Sequence, residues 1–226
     1  MNTYTKYWFL EGFNLFNKLG RITMMRMCEI LEMENIDKGA HIELSKEDKK
    51  NIFFLKKGTV KIINPINDKV KHIVKKGNIF GELALYNESE ETKEQAIALE
   101  DCIVCYIESS RMQRIMEKHK SLKNGILKIY GLRIKKLERR LEDLLYKDSK
   151  TRIKEFIVDY INEFGEQINE TLVAKKLLTH KDIANLTNTS RQTVSNTLSI
   201  LRKEDCIDYN TQIITLLQKE THTIHT

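Results

Sequence analysis

The sequence predicts an α+β protein with an N-terminal β-roll and flanking helices, a long helix, and a C-terminal winged helix-turn-helix. Three patterns predict this fold. Short β-rich runs separated by turn residues occupy residues 38–108, a long helical pattern occupies residues 121–146, and a helix-turn-helix pattern runs from Thr179 to Lys203. Short strands at this spacing are typical of an all-β roll or barrel. We therefore expect three segments, with the boundaries 1–119, 120–147 and 148–226.

The composition is that of a soluble protein with one large or two modest domains. The 226 residues are 41% hydrophobic and 31% charged, with a net charge of +6. Apolar runs such as residues 52–55 are far too short to cross a membrane, and no basic start followed by an apolar core indicates a signal peptide. The four cysteines are scattered along the chain, which suits a reducing compartment. We expect a cytoplasmic protein with no membrane partner.

The N-terminal segment combines helices with the roll. The first 35 residues have the apolar spacing of helices, and from residue 38 the pattern becomes one of strands. Turn signals such as Lys56-Lys57-Gly58 and Asn64-Pro65 separate the apolar runs. Strands are expected at residues 51–55, 59–63, 70–74, 96–99 and 102–107, and a short helix is expected at 109–119.

The helix at residues 121–146 carries an apolar stripe whose members are spaced three and four residues apart: Leu127, Tyr130, Ile134, Leu137, Leu141 and Leu144. Such spacing is typical of a helix that pairs with another helix. No partner helix is evident within the chain, so the stripe predicts a homodimer; the alternative is packing on the chain's own β-roll. Residues 121–140 contain seven Lys or Arg and one Glu, which suits either contact with phosphate or a solvated helix face.

The C-terminal segment begins with a helix at residues 151–165 and continues into the helix-turn-helix. Thr179 can cap the first helix, with Asp182 in its first turn. Asn188 tolerates the left-handed conformation that the tight turn requires, and Ser190 can cap the second helix. A small hairpin, the wing, is expected at residues 206–208 and 212–217.

The second helix of this motif has one apolar face and one polar face. Val194, Leu198 and Leu201 form a buried stripe at spacings of four and three. The opposite face carries Arg191, Gln192, Ser195, Asn196, Arg202 and Lys203. Arginine matches the two major-groove acceptors of guanine, and Gln or Asn can bind adenine with two hydrogen bonds. The pattern therefore predicts a DNA-reading helix; the alternative is a surface helix with ordinary polar residues.

Two motifs carry a resemblance to a known family. Ser190-Arg191-Gln192-Thr193-Val194 resembles the start of the recognition helix in the bacterial cyclic AMP receptor protein/fumarate-nitrate reductase regulator (Crp/Fnr) family, and Phe80-Gly81-Glu82-Leu83-Ala84-Leu85 is similar to its phosphate-binding cassette. The resemblance implies a cyclic-nucleotide-binding-like sensory roll, a dimerisation helix and a winged helix-turn-helix. It implies a homodimeric, sequence-specific transcription regulator gated by a small effector. The implied partners are double-stranded DNA with a pseudo-palindromic operator, a second copy of the chain, and RNA polymerase.

Site residues follow from the resemblance position by position. Arg191, Gln192 and Asn196 fall on the family's base-reading positions. Residues near its DNA-backbone contacts are Thr179, His180, Ser190 and Thr193. Gly81 and Glu82 match the cassette residues that meet the phosphate and ribose of the nucleotide.

The chain departs from the family in the segment after the cassette. Cyclic AMP binders place an Arg-Ser or Arg-Thr pair about ten residues after the cassette glutamate, whereas residues 88–95 contain no arginine and include four glutamates. A buried cyclic phosphate needs a cation and several donors, and Lys93 alone among acids is a poor substitute. We predict that cyclic AMP does not bind tightly. Gly81 and Glu82 then serve either as a structural turn or as part of a pocket for another, unknown effector.

Other chemistry finds little support in the sequence. Cys102 and Cys105 have C-x-x-C spacing, but on a strand these side chains point to opposite faces. Cys28 and Cys206 lie in distant segments, so neither an iron-sulfur cluster nor another metal site is expected, and buried apolar roles are the alternative. His72 on a strand could ligate haem, although a surface or packing role is the simpler interpretation. No catalytic constellation is visible, so the sequence predicts no enzyme.

Two functional hypotheses remain. The first is a DNA-binding regulator, which Arg191, Gln192 and the basic segments favour. The second is a ligand- or redox-sensing module whose helix-turn-helix mediates protein interaction.

Overall fold

The computed structural model describes residues 3–46, 49–81, 85, 94–169 and 171–217. The fold is α+β, as the sequence predicts, and the chain divides into two compact units, residues 1–138 and 139–226. The division falls inside the long helix rather than at either of its ends.

The first unit consists of two antiparallel sheets with flanking helices. Its helices are α1 (Thr3–Glu11), α2 (Arg21–Ile30), α3 (Ser109–Lys118) and, up to residue 138, the long helix α4 (Lys120–Tyr146), with a short 3-10 helix at Asn14–Phe16. Its strands are β1 (Glu32–Ile36), β2 (His41–Ile42), β3 (Ser45–Lys46), β4 (Lys49–Lys57), β5 (Thr59–Asn64), β6 (Lys69–Lys75), β7 (Ile79–Phe80), β8 (Gln95–Ala98) and β9 (Cys102–Glu108). One sheet has the order β1-β9-β4-β3 with β7 also paired to β4, and the other has the order β2-β8-β5-β6.

Strand β4 is buried on both faces and separates two apolar cores. Ile52 and Phe54 belong to the core beneath the helices, whereas Phe53 and Leu55 belong to the core between the sheets. Phe53 stacks on Phe80 with ring centroids 4.9 Å apart. This explains why the strand is a continuous apolar run instead of an alternating one.

The predicted strands are present, but the N-terminal prediction was wrong at one place. Residues 32–35, which we expected to be helical, belong to strand β1 (Glu32–Ile36). This segment pairs with β9, placing Met33 opposite Cys105 and Ile36 opposite Cys102. Tertiary pairing overrides the local apolar pattern here. The short strands β2, β3 and β7 were not predicted either, because two-residue strands carry almost no sequence signal.

The apolar stripe of α4 is exposed in a single copy of the chain. The helix is anchored at its start by Leu122 and Ile126, which are fully buried. Tyr130 packs partly against the core beneath the helices. The remaining stripe residues are 36–63% exposed: Leu127, Ile134, Leu137, Leu141 and Leu144. Within the described ranges, neither α4 nor any other helix is long and apolar enough to cross a membrane.

The second unit is a helix-turn-helix backed by a small sheet. Its elements are α5 (Ser149–Phe164), β10 (Glu166–Ile168), β11 (Thr171–Lys175), α6 (His180–Thr187), α7 (Arg191–Lys203), β12 (Ile207–Tyr209) and β13 (Ile213–Leu216). The predicted wing hairpin is β12-β13, but it belongs to a larger antiparallel sheet with the order β10-β11-β13-β12. Strand β11 covers the inner edge of the wing by pairing with β13.

Two buried threonines in the helix-turn-helix differ in how their hydroxyls are satisfied. Thr187 donates to the carbonyl oxygen of Ile183 at 2.8 Å. The Thr197 hydroxyl is buried without a hydrogen-bond partner among the described residues.

We expect Thr197→Val to raise the free energy of unfolding by about 1 kcal/mol, and Thr187→Val to lower it by a similar amount. Chemical denaturation followed by circular dichroism measures both, and equal shifts in the same direction would contradict the assignment.

Candidate nucleic-acid interface

The first helix of the motif begins at a complete capping box. The Thr179 side chain accepts a hydrogen bond from the Asp182 amide at 3.1 Å, and the Asp182 carboxylate accepts one from the Thr179 amide at 2.9 Å. The Thr179 hydroxyl also donates to this carboxylate at 2.7 Å. The predicted cap is therefore confirmed, and it satisfies amides that a helix N-terminus leaves without intrahelical partners.

The turn between α6 and α7 has the predicted left-handed residue. Asn188 adopts φ 50° and ψ 57°, and the next amide, that of Thr189, donates to the Ala184 carbonyl at 2.9 Å. Ser190 then caps α7 by accepting from the Thr193 amide at 3.0 Å. Because the turn and both caps are local, α7 begins at a defined point and with a defined direction.

Helix α7 separates its apolar and polar faces as predicted. Val194, Leu198 and Leu201 are buried, whereas Gln192 and Asn196 are exposed. The Gln192 amide donates to the Asn196 side-chain oxygen at 3.0 Å. The bond leaves the Gln192 oxygen as an acceptor and the Asn196 amide as a donor, which is the combination that the N6 and N7 atoms of adenine require.

A cluster of basic groups surrounds the start of α7. Arg191, its first residue, is exposed. Burial, together with the charges of Lys176 and Arg191, lowers the pKa of His180 at the start of α6. Lys176 also donates to the Asn210 carbonyl at 3.2 Å and lies 4.8 Å from the ring centre of Tyr209 on the wing. Sequence reasoning did not single out Lys176, because only its membership of a basic segment was visible.

The end of α7 is tied to the wing. Arg202 pairs with Asp208 at 2.9 Å and lies 5.2 Å from the ring centre of Tyr209. The sequence analysis placed Arg202 among the groups suited to DNA contact. In the structure its guanidinium pairs with Asp208, six residues further along the chain. Lys203 is exposed.

The seven residues predicted to contact DNA all lie in the second unit, at the N-caps of α6 and α7 or in the first two turns of these helices: Thr179, His180, Ser190, Arg191, Gln192, Thr193 and Asn196. Gly81 lies in the first unit, directly after β7. Its φ is +74°, and a Cβ at this position would lie 2.6 Å from the Asn51 carbonyl oxygen, so the turn requires glycine. Glu82 lies outside the described residues, as do residues 88–93 of the acidic segment.

The cysteines of the roll are separated by the sheet that carries them. Cys102 lies in the core between the sheets, whereas Cys105 lies with Cys28 in the core beneath the helices, which confirms the predicted opposite orientation. Burial raises the pKa of all three thiols, that of Cys105 to about 12. These groups are therefore protonated and poorly reactive at neutral pH. In the part of the chain that the structure describes, no three His, Cys, Asp or Glu side chains are grouped to hold a metal ion.

Two family models match the chain. The cyclic nucleotide-binding domain matches residues 33–119, and the Crp-like helix-turn-helix domain matches residues 151–221. The first match covers the strands of the first unit, and the second covers α5, the helix-turn-helix and the wing.

Curated relatives match most of this chain at low sequence identity. The "Anaerobic regulatory protein" of Bacillus subtilis is 23% identical, over 80% of this chain and 79% of its own length. The "Global nitrogen regulator" of Synechococcus elongatus is 23% identical, over 82% of this chain and 86% of its own.

Solved structures match the fold. A CooA variant from Carboxydothermus hydrogenoformans superposes with a TM-score of 0.69 and 22% identity, covering 93% of this chain and 91% of that protein. FixK2 from Bradyrhizobium japonicum superposes with a TM-score of 0.70 and 14% identity, covering 84% and 93%.

His180 gives the interface an expected pH dependence. Its pKa lies below the ordinary value of about 6.5, so the imidazole of the free protein is neutral at pH 7. A DNA phosphate beside it would stabilise the imidazolium and raise its pKa, so the complex would bind more protons than the free protein. Affinity for DNA should then rise as the pH falls from about 7.5 to about 5.5, by up to about tenfold for a one-unit change in pKa.

Fluorescence anisotropy with labelled duplex across this pH range measures the effect. His180→Gln, which cannot titrate, is the control and should flatten the curve. A variant that keeps the slope of the parent protein would show that His180 does not contact phosphate.

Proposed function

The chain belongs to the Crp/Fnr family of transcription regulators, and we propose that it acts as a homodimer that binds a pseudo-palindromic operator under the control of a small effector other than cyclic AMP. The observation that most directly supports this proposal is the exposed polar face of α7. We propose residues 1–119 as the sensory segment, 120–147 as the dimerisation segment and 148–226 as the DNA-binding segment. The two family matches, at residues 33–119 and 151–221, support these boundaries.

We propose that side chains in the first two turns of α7 recognise the base sequence of the operator. Arg191, Gln192 and Asn196 are exposed there, and N-terminal side chains of a recognition helix reach base edges in the major groove. Arg191 suits guanine and the Gln192–Asn196 pair suits adenine. Phosphate contact is assigned to the cap residues and their neighbours: Thr179, His180, Ser190 and Thr193.

The polar character of this surface favours DNA over a protein partner. The exposed side chains at the start of α7 offer hydrogen-bond donors and a positive charge, whereas the core of a protein interface is depleted in charge and enriched in aromatic residues. A mobility shift with genomic fragments separates the two hypotheses. Since the curated relatives are regulators, the proposed function includes no catalysed reaction. We propose the cytoplasm as its compartment, because its ligand is chromosomal DNA.

We assign dimerisation to the exposed stripe of α4. An apolar stripe at heptad-like spacing that stays exposed in one copy of the chain is stabilised by pairing with a second copy. The two-fold symmetry of such a dimer would place two recognition helices about one helical turn of DNA apart, roughly 34 Å. Contact with RNA polymerase is proposed from family membership alone, and transcription in vitro from an operator-bearing promoter tests it.

The dimer assignment is tested by two leucines on opposite sides of α4. Leu137 lies in the stripe and is 63% exposed, whereas Leu132 lies off the stripe and is 60% exposed. Leu137→Asp would bury an unpaired charge in each half of the dimer, at a cost of several kcal/mol. Leu132→Asp should leave the dimer intact. Sedimentation equilibrium measures both, and a monomeric parent protein or a dimeric Leu137→Asp variant would show that the stripe is misassigned.

Cyclic AMP should not bind tightly, because residues 88–95 lack the arginine that would neutralise its phosphate. In the described part of this segment, Glu94 forms an ion pair with Lys71 at 2.5 Å. Isothermal titration calorimetry should therefore give no dissociation constant at or below about 1 μM, which corresponds to about −8 kcal/mol. Micromolar or tighter binding would overturn this part of the proposal. Native mass spectrometry of the purified protein would identify a retained effector.

Base reading is tested by comparing two basic residues of α7. Arg191→Ala should cost about 1–3 kcal/mol per half-site and relax the preference at one base pair, which we expect to be G·C. Lys203→Ala, as a phosphate contact, should weaken binding to all sequences alike and reduce the salt slope by about one unit. Selection from a random DNA pool measures both. Recovery of no palindrome, or an unchanged motif with Arg191→Ala, would exclude α7 as the reading helix.

A further inference from the structure

Two arginines bind the carbonyl groups at the C-terminal end of α6. Arg152, on α5, donates from Nε to the Thr187 carbonyl at 3.1 Å and from Nη2 to the Asn188 carbonyl at 3.3 Å. Arg140, on α4, donates from Nη2 to the Asn185 carbonyl at 3.2 Å. All of these residues lie in the second unit.

These contacts occur at a helix end, where carbonyl groups need hydrogen-bond donors from outside the helix. The last carbonyls of a helix have no intrahelical donors and form the negative end of the helix dipole. The left-handed residue Asn188 turns the chain away at this point, so its carbonyl and that of Thr187 cannot continue the helical pattern. A planar guanidinium can satisfy two carbonyls at once, which the single ammonium group of lysine does with much less geometric control.

Arg152 also connects the turn to the end of the long helix. Its Nη1 donates to the Lys147 carbonyl at 2.6 Å, directly after α4 ends. The Lys147 ammonium lies 2.6 Å from the carboxylates of both Asp143 on α4 and Glu155 on α5. One guanidinium thus joins the α4–α5 junction to the residues that set where α7 begins.

We propose that Arg152, assisted by Arg140, is a positioning residue for sequence-specific DNA binding. The two guanidinium groups hold the end of α6 and the left-handed turn, and so fix the direction of α7 relative to α5 and the last residues of α4, within the second unit. This inference rests on the proposed reading role of α7. It predicts that loss of the contacts lowers affinity for the operator, because the base-reading side chains are misdirected. Affinity for unrelated DNA should change little, because the positive charge of the protein is unchanged.

The test uses the full chain and the operator selected by the parent protein. Arg152→Lys keeps the charge but removes the paired contacts with Thr187 and Asn188, and Arg140→Lys keeps the charge but removes the single contact with Asn185. Arg139→Lys is the matched control, because Arg139 is the neighbour of Arg140 on α4 and makes only a half-exposed ion pair with Asp159 at 3.2 Å in the described structure. Affinity is measured on the operator and on a scrambled duplex of equal length, with circular dichroism as a check on folding.

Arg152→Lys should weaken operator binding about tenfold or more, which corresponds to about 1.4 kcal/mol, and change binding to the scrambled duplex less than about twofold. Arg140→Lys should show a smaller loss of the same kind, and Arg139→Lys none. An unchanged ratio of the two affinities in a folded Arg152→Lys variant would overturn the proposal. If Arg152→Lys does not fold, the ratio for Arg140→Lys decides by the same criterion.

A second measurement separates this inference from the proposed function. If the parent protein selects no DNA motif, the proposed function fails, and amide hydrogen exchange then tests the contacts alone. Exchange at the Asn188 and Thr189 amides should be at least about tenfold faster in Arg152→Lys than in Arg139→Lys. Equal exchange in the two variants would show that Arg152 does not hold the turn.

Discussion

The left-handed turn at Asn188 is the constraint on which the interface depends. A left-handed backbone is costly for most residues, and among residues 179–203 only Asn188 has a positive φ. The hydrogen bond from Thr189 to Ala184 closes α6, and the Ser190 cap opens α7 two residues after the turn. The side chains that face DNA in our proposal are therefore oriented by backbone geometry before any ligand is present, which lowers the cost of ordering them on binding.

The roll is organised on a different principle, the burial of a strand on both faces. Strand β4 contributes to the core beneath the helices and to the core between the sheets. Residues 51–55 of this strand are all buried, so apolar substitutions at residues 52–55 disturb one core or the other. The departure from cyclic AMP binders lies instead in the sequence of residues 88–95, and the exposed apolar stripe lies along α4.

Features set by neighbouring residues could be predicted from the sequence, and features set by distant ones could not. The caps at Thr179 and Ser190 and the turn at Asn188 depend on residues within five positions of each other, so their pattern is visible in the chain. Strand β1 depends on a partner about seventy residues away, and β11 gains its place by pairing with β13. Likewise, the contact of Arg152 with Thr187 spans 35 residues, and nothing in the local sequence marks that arginine as different from its neighbours.

The exposed stripe of α4 has a consequence for how much active regulator is present at a given protein concentration. If pairing covers the stripe, the folded dimer is favoured by mass action, so apparent stability and operator occupancy both depend on total concentration. Occupancy by a dimer that dissociates varies with the square of the monomer concentration at low levels. A modest change in the rate at which the protein is synthesised or degraded would then alter operator occupancy more than proportionally. The amount of protein would thus regulate transcription alongside any effector.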